Sequence, residues 1–328
     1  MGGERNPVEK MDAAYDEPRR QRCNKPRLGI VLLVTLLIAA TLAFLQYADL
    51  QSETVTLSNV GGSSLVSPLT LACVRATCAA SGAFTLGCLL LDPNGVKISP
   101  TYLDGSALAP NTIQLQGLAR LSTFTVQCWT LLTLYFSGAC ASSLTLVFGT
   151  AHPPRWFLTA LWFAYETSLA SAALVSFVVT FALIPRSVRS GNREGIQLFF
   201  TWKTQFMHSL NIVFMVMELI LNDMLCLPSH IPIGMLWGLY YVLFSWAWLR
   251  YSGVVYYFFL DPTLPFRQSA TFLIVLLTIF VAFSGLAVAL DSIALHVRAV
   301  LCLLGIVLIT HTPLHGIPKP IKSERAQR

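Results

Sequence analysis

The residues best suited to chemistry in this chain are His208, Asn211 and Glu218, which lie in one apolar run over 204–225. Ionisable groups are costly inside hydrocarbon and by default mark function. On a helix turning about 100° per residue, Asn211 lies about 60° from His208, and Glu218 about 80° to the same side. The three then share one face, roughly 15 Å long. A second stripe, Thr123, Gln127, Thr130 and Ser137, falls within about 80° of arc on another apolar run. Together these groups could support a nucleophile with an acid–base partner. A threonine hydroxyl attacks only when a base takes its proton. A histidine, with a pKa near 6.5 in water, is the side chain suited to take it. Asn211 would orient that histidine or donate to the oxyanion, and Gln127 would do the latter. Glu166 and Asp291 are further ionisable candidates. No metal or cofactor is expected.

A plainer reading stands beside the catalytic one. Hydroxyls in membrane helices commonly bond back to the carbonyl one turn earlier. A buried histidine also serves as a hydrogen-bond partner between helices. The Trp and Tyr residues over 237–257 read as an interfacial belt and core packing.

The elements that must position these groups follow from composition. The 328 residues are 55% hydrophobic and only 12% charged, against roughly 25% charged in soluble domains. The charges crowd into residues 1–27, 186–203 and the tail beyond Pro318. Between them lie apolar blocks long enough to cross a bilayer. The expected fold is all-α, a polytopic transmembrane helical bundle of about six spans: 28–47, 118–148, 156–184, 204–225, 231–259 and 269–290. The apolar run 297–310, about 14 residues, is short for a crossing and is a possible seventh segment. The domain reading is a disordered cytoplasmic tail (1–27), a first transmembrane helix (28–48), an extramembrane loop (49–117), a helical core (118–312) and a polar tail (313–328).

Within 49–117 the runs 53–57 and 83–91 look β-like, and Asp92-Pro-Asn-Gly95 is a turn sequence. Cys73, Cys78 and Cys88 suggest one disulfide if the loop faces an oxidising lumen; unpaired buried thiols are the alternative. The net charge of +6 belongs to tails and loops. With no basic stripe among exposed aromatics, it does not point to nucleic acid. The basic N-terminal tail places that end in the cytoplasm. Six crossings return Lys319, Lys322, Arg325 and Arg328 to the cytoplasm, where seven would expose them, but six leave Arg186, Arg189 and Arg193 outside, against the same rule. The membrane is an endomembrane, such as the endoplasmic reticulum, or the plasma membrane.

Three stretches carry a resemblance. Leu121-Ser-Thr-Phe-Thr-Val-Gln127 resembles a span start of the androgen-induced protein and androgen-dependent TFPI-regulating protein family. Met207-His-Ser-Leu-Asn-Ile-Val-Phe-Met-Val-Met-Glu218 is similar to that family's histidine signature, with a glutamate ten residues on. Trp246 through Gly253 to Phe259-Leu-Asp261 is similar to its Trp…Gly…Tyr-x-Phe-Leu segment. The resemblance spans roughly residues 118–290. It implies an intramembrane threonine hydrolase of fatty-acid esters of hydroxy fatty acids, with Thr123 as nucleophile and His208 as base. Its partners would be membrane lipids and a lipid-ester substrate. The 50–116 insertion and the last apolar segment depart from the family pattern. Outside the resemblance, a receptor, transporter or scaffold remains open.

Overall fold

The computed structural model describes residues 26–47, 55–149, 153–312 and 316–318, and its architecture is a bundle of long apolar helices. Seven are long and apolar enough to cross a membrane, which makes the chain a multi-spanning α-helical membrane protein. In chain order the helices are α1 (Leu28–Tyr47), the short α2 (Leu57–Gly61), α3 (Pro68–Leu90) and α4 (Phe124–Phe148). There follow α5 (Arg155–Arg189), the short α6 (Arg193–Phe199) and α7 (Trp202–Leu221). The series ends with α8 (Ile231–Ser252), α9 (Phe266–Asp291) and α10 (Leu295–Ile309).

Helix α3 corrects the reading of 49–117 as an extramembrane loop. The run over 83–91 is helical rather than β-like, and residue 57 opens α2; part of the run 53–57 lies outside the described residues. Ser67 caps α3 by accepting from the Thr70 amide at 3.1 Å, and Pro68 supplies the pre-set φ of a first helical turn. Its Ser, Thr, Gly, Ala and Cys residues make it a weakly apolar span, with a mean hydropathy of 1.4 against 2.8 for α1. Those small side chains are what close helix packing in a membrane requires. A Cβ on Gly82 would fall among the Thr133 side-chain atoms of α4, so the two backbones approach as they do because nothing stands between them. Cys73, Cys78 and Cys88 all lie on this one helix and are free thiols, so no disulfide forms among them.

Counting α3 changes which face each later loop lies on. The seventh span comes from within 49–117, not from the last apolar run, and α10 is a shorter helix of 15 residues. After each even crossing the chain returns to the face where α1 begins, here called the proximal face. That face carries a two-stranded antiparallel hairpin, Val96–Ile98 with Ile113–Leu115, and the loops around 190–201 and 253–265. Side chains tie it together: Arg27 Nε donates to Thr263 O at 2.8 Å, Arg186 Nε to Thr101 Oγ1 at 3.1 Å, and Lys203 Nζ to Asp92 at 2.7 Å. Arg186, Arg189 and Arg193 therefore share a face with the start of α1.

α5 is the central helix, with 67% of its apolar window buried against 17% for α1. The main core lies between α3, α4, α5 and α7, around Trp129, Tyr135, Phe136, Tyr165 and Met215. A second cluster packs α1 on α8 and α9 through Ile30, Val34, Leu239, Val242 and Leu273. Leu36, Leu42, Ile274 and Leu303 point outward, as lipid-facing residues do.

A proximal cavity built around Thr125 and His208

Two local irregularities shape the candidate site. The first precedes α4. Residues Gly117–Ser122 form a 3-10 turn, and Thr123 is extended (φ −85, ψ 144), with no side-chain cap bond. The turn is fixed from α8 and the segment beyond it: Tyr241 donates to the Ser122 carbonyl at 3.1 Å, and the Ser122 and Tyr256 hydroxyls share a bond of 2.7 Å. The second lies in α7, where Phe206–Leu210 is a π-turn with His208 at its centre. Ser176 of α5 donates to the His208 carbonyl at 2.7 Å. Such one-turn π insertions are frequent at functional sites.

Between these irregularities lies a proximal cavity of about 330 Å³ lined by Thr123, Thr125 and His208 together. The hydroxyl nearest the imidazole belongs to Thr125: His208 Nε2 and Thr125 Oγ1 are 3.3 Å apart. Thr123 shares the cavity without a hydrogen bond to His208. His208 Nδ1 is buried with no partner among the described residues, and the ring lies 6.0 Å from that of Phe199. A second, apolar cavity of about 80 Å³ runs between α5, α8 and α9, with Leu174, Met235 and Phe280 in its walls. Thr125, Leu183 and Tyr257 line both cavities. Burial raises the phenol of Tyr257 above its usual range, while the Thr125 hydroxyl acts the other way. Burial likewise pushes the Tyr256 phenol up to about 12. Both are therefore protonated donors near neutral pH.

The remaining sequence candidates lie elsewhere. Asn211 does not orient the imidazole. Its Oδ1 accepts from the Ile212 amide at 2.7 Å and from Ser176 at 3.2 Å, and its Nδ2 reaches the Ala172 carbonyl. Glu218 sits deeper, in an ion pair with Arg75 of α3, and also accepts from Tyr135 at 2.6 Å and Asn222 at 3.2 Å. The π-turn explains both departures, because its extra residue per turn breaks the even 100° rotation from which the common face was drawn. Gln127 lines neither cavity, and its Oε1 is buried without a partner among the described residues. Thr130 and Ser137 bond back to the Val126 and Thr133 carbonyls, as the plainer reading holds.

Glu166 and Asp291 belong to the opposite, distal end. Glu166 meets His230 Nδ1 at 2.7 Å and accepts from the Leu227 amide at 2.7 Å. Asp291 accepts from the Cys226 amide at 2.6 Å and from Arg298 at 3.2 Å. These carboxylates fasten the 222–230 loop to α5 and α9. No cluster able to hold a metal ion occurs among the described residues.

Thr125, Tyr257, Lys97 and Arg186 are not among the site residues that spacing in the sequence singles out. Thr125 carries a signal, since it stands two residues after Thr123 in the same motif, but helical periodicity favours the stripe through Thr123. Comparison with known protein families, characterised proteins and solved structures returns no match, so the resemblance to the androgen-induced protein family rests on the quoted motifs around Thr123, His208 and Trp246.

Proposed function

We propose that this protein is an intramembrane hydrolase of lipid esters that uses a threonine hydroxyl as nucleophile and His208 as base. The observation that carries the reading is the 3.3 Å approach of His208 Nε2 to Thr125 Oγ1 where the proximal cavity and the apolar one share walls. In the proposed reaction Thr125 Oγ1 bonds to the ester carbonyl carbon as its proton passes to His208 Nε2. Collapse breaks the bond to the alcohol oxygen, which departs with that proton and leaves an acyl-threonine. Water then gives a proton to Nε2 and adds to the acyl carbon. The fatty acid departs, and the proton returns to Thr125 Oγ1. The protonated phenol of Tyr257 is the candidate donor to the transient oxyanion. Thr123, the residue the resemblance matches, is the second candidate nucleophile because it lines the same cavity.

A non-catalytic lipid-binding protein is the second reading. Among the described residues, His208 Nδ1 lacks the acceptor that normally fixes the tautomer of a catalytic histidine. Alanine variants of Thr125, Thr123 and His208, assayed in membranes against a long-chain ester, separate the two. Full turnover by His208→Ala rejects the hydrolase.

The proximal face is proposed to lie in the cytosol. It carries Arg27, Arg186, Arg189, Arg193 and Lys203, whereas the distal stretches 55–67, 149–154 and 222–230 contain no lysine or arginine and the distal helix ends add only Arg155 and Arg298. A glycosylation acceptor placed in the 222–227 loop is expected to be modified in a cell. Modification of one at residues 190–192 instead would reverse the orientation.

A further inference from the structure

The mouth of the proximal cavity has a charge that ester hydrolysis alone does not use. Lys97 on the first hairpin strand and Arg186 at the end of α5 both line it. The Lys97 ammonium makes no hydrogen bond or ion pair among the described residues. Arg186 is held rigidly. Its Nε and Nη2 donate to Thr101 at 3.1 and 3.2 Å and to the Tyr102 carbonyl at 3.0 Å, and its guanidinium lies 4.5 Å over the Phe258 ring. None of those acceptors is a carboxylate, so its positive charge is not neutralised there, and Nη1 donates to none of the described residues. Asp104 acts on it through space but forms no ion pair with it. Arg120, the third cation in the wall, is already spoken for by the Leu89 carbonyl and Asp92. The one acidic residue in the lining is Glu194.

Two positive groups facing a common cavity without a carboxylate partner favour an anion there. The imidazole–hydroxyl pair lies in the same cavity, which shares Thr125, Leu183 and Tyr257 with the apolar one. We infer that Lys97 and Arg186 form an anion subsite, and that the ligand is an amphiphile with a carboxylate or phosphate at the end remote from its buried acyl chain. The subsite depends on the hairpin, which lies in the 50–116 insertion. This inference deepens the hydrolase reading but does not need turnover, because the subsite would select ligands even if no bond were broken.

The test uses full-length protein in neutral-lipid nanodiscs and non-hydrolysable ether analogues of a long-chain ester. One analogue ends in a carboxylate, one in its methyl ester and one in a phosphate. Binding is read from tryptophan fluorescence, and hydrolysis of the matching ester is read separately. The expected result is that both charged analogues, or one of them, bind roughly tenfold tighter than the methyl ester, and that Lys97→Gln erodes the ratio while Lys97→Glu abolishes it. Whichever charged analogue binds tighter identifies the headgroup. Equal binding of all three by the native chain, or a ratio unchanged in Lys97→Glu, overturns the subsite. Arg186→Gln removes a clamp and is open to misfolding, so the Lys97 variants on the exposed strand are the deciding ones. Charge-selective binding with no hydrolysis refutes the hydrolase and leaves the subsite standing.

Discussion

Arg75 and Glu218 lie 143 positions apart in the chain and meet as an ion pair with neither side chain exposed. Arg75 also donates to the Val60 carbonyl at 2.7 Å, the Ala139 carbonyl at 3.2 Å and Ser143 Oγ at 2.7 Å. A single side chain thus joins α2, α3, α4 and α7. A charge buried at this depth is tolerable only because every part of it is paired.

Removing one partner should therefore cost more than removing both. Arg75→Met or Glu218→Gln is expected to destabilise the bundle by about 3–5 kcal/mol, because each leaves the other group buried and uncompensated. The double variant Arg75→Met/Glu218→Leu should recover much of that loss. Thermal unfolding in detergent, followed by circular dichroism, gives the comparison. Additive losses would show that the pair is not energetically coupled.

The two threonines of the α4 entry should separate kinetically. Thr125→Ala is expected to lower kcat/KM for a long-chain ester by on the order of a thousandfold, the size of effect that loss of a nucleophile brings. Thr125→Ser should keep measurable turnover. Thr123→Ala should act mainly on KM, since that side chain lines the cavity without touching His208. The reverse ranking would transfer the nucleophile to Thr123.

Helix α3 offers a packing test. In Gly82→Ala the new methyl would collide with Thr133 Oγ1, and overpacking of this kind costs about 1–3 kcal/mol. Adding Thr133→Ala should return part of it. A neutral Gly82→Ala in the same unfolding assay would mean that α3 and α4 have room to part.

Asp92, in the turn that leads into the hairpin, links it to α7. Its hydrogen bond to Lys203 holds the carboxyl below the usual carboxylate range, with the Asn94 amide adding to the effect. A lowered folded-state pKa means that the link is fully present above the unfolded value and is lost as the pH falls through the folded one. Hydrogen exchange across 96–115, corrected for its intrinsic pH dependence, should accelerate in that acidic window. Asp92→Asn should show the same acceleration already at neutral pH. Exchange that stays flat with pH would count against the link.

Much of the bundle is legible in the sequence, because six of its spans are long, predominantly apolar runs. α3 is not, because its membrane character comes from small and weakly polar residues that pack on α4 rather than from large hydrophobic ones. Arg75 makes the misreading natural: a lone arginine looks like a loop residue until its carboxylate is found 143 positions away. The same distance hides the role of Glu218. His208 is legible as a rare imidazole in an apolar run, and the structure puts it in the cavity wall. Its threonine partner is legible only to within two residues, because the chain before Phe124 is a 3-10 turn and not the straight helix that periodicity assumes.

The π-turn at Phe206–Leu210 gives α7 two independent facings. Its lower half, from Asn211 to Leu221, is locked to α3 and α5 by Glu218 and Asn211. The upper half aims its imidazole into the cavity, and the surplus residue between them absorbs the rotational mismatch. Anchoring and site geometry are thereby decoupled within one rod. Excising a single residue from the turn should swing the imidazole away from Thr125 while leaving the deep anchor in place.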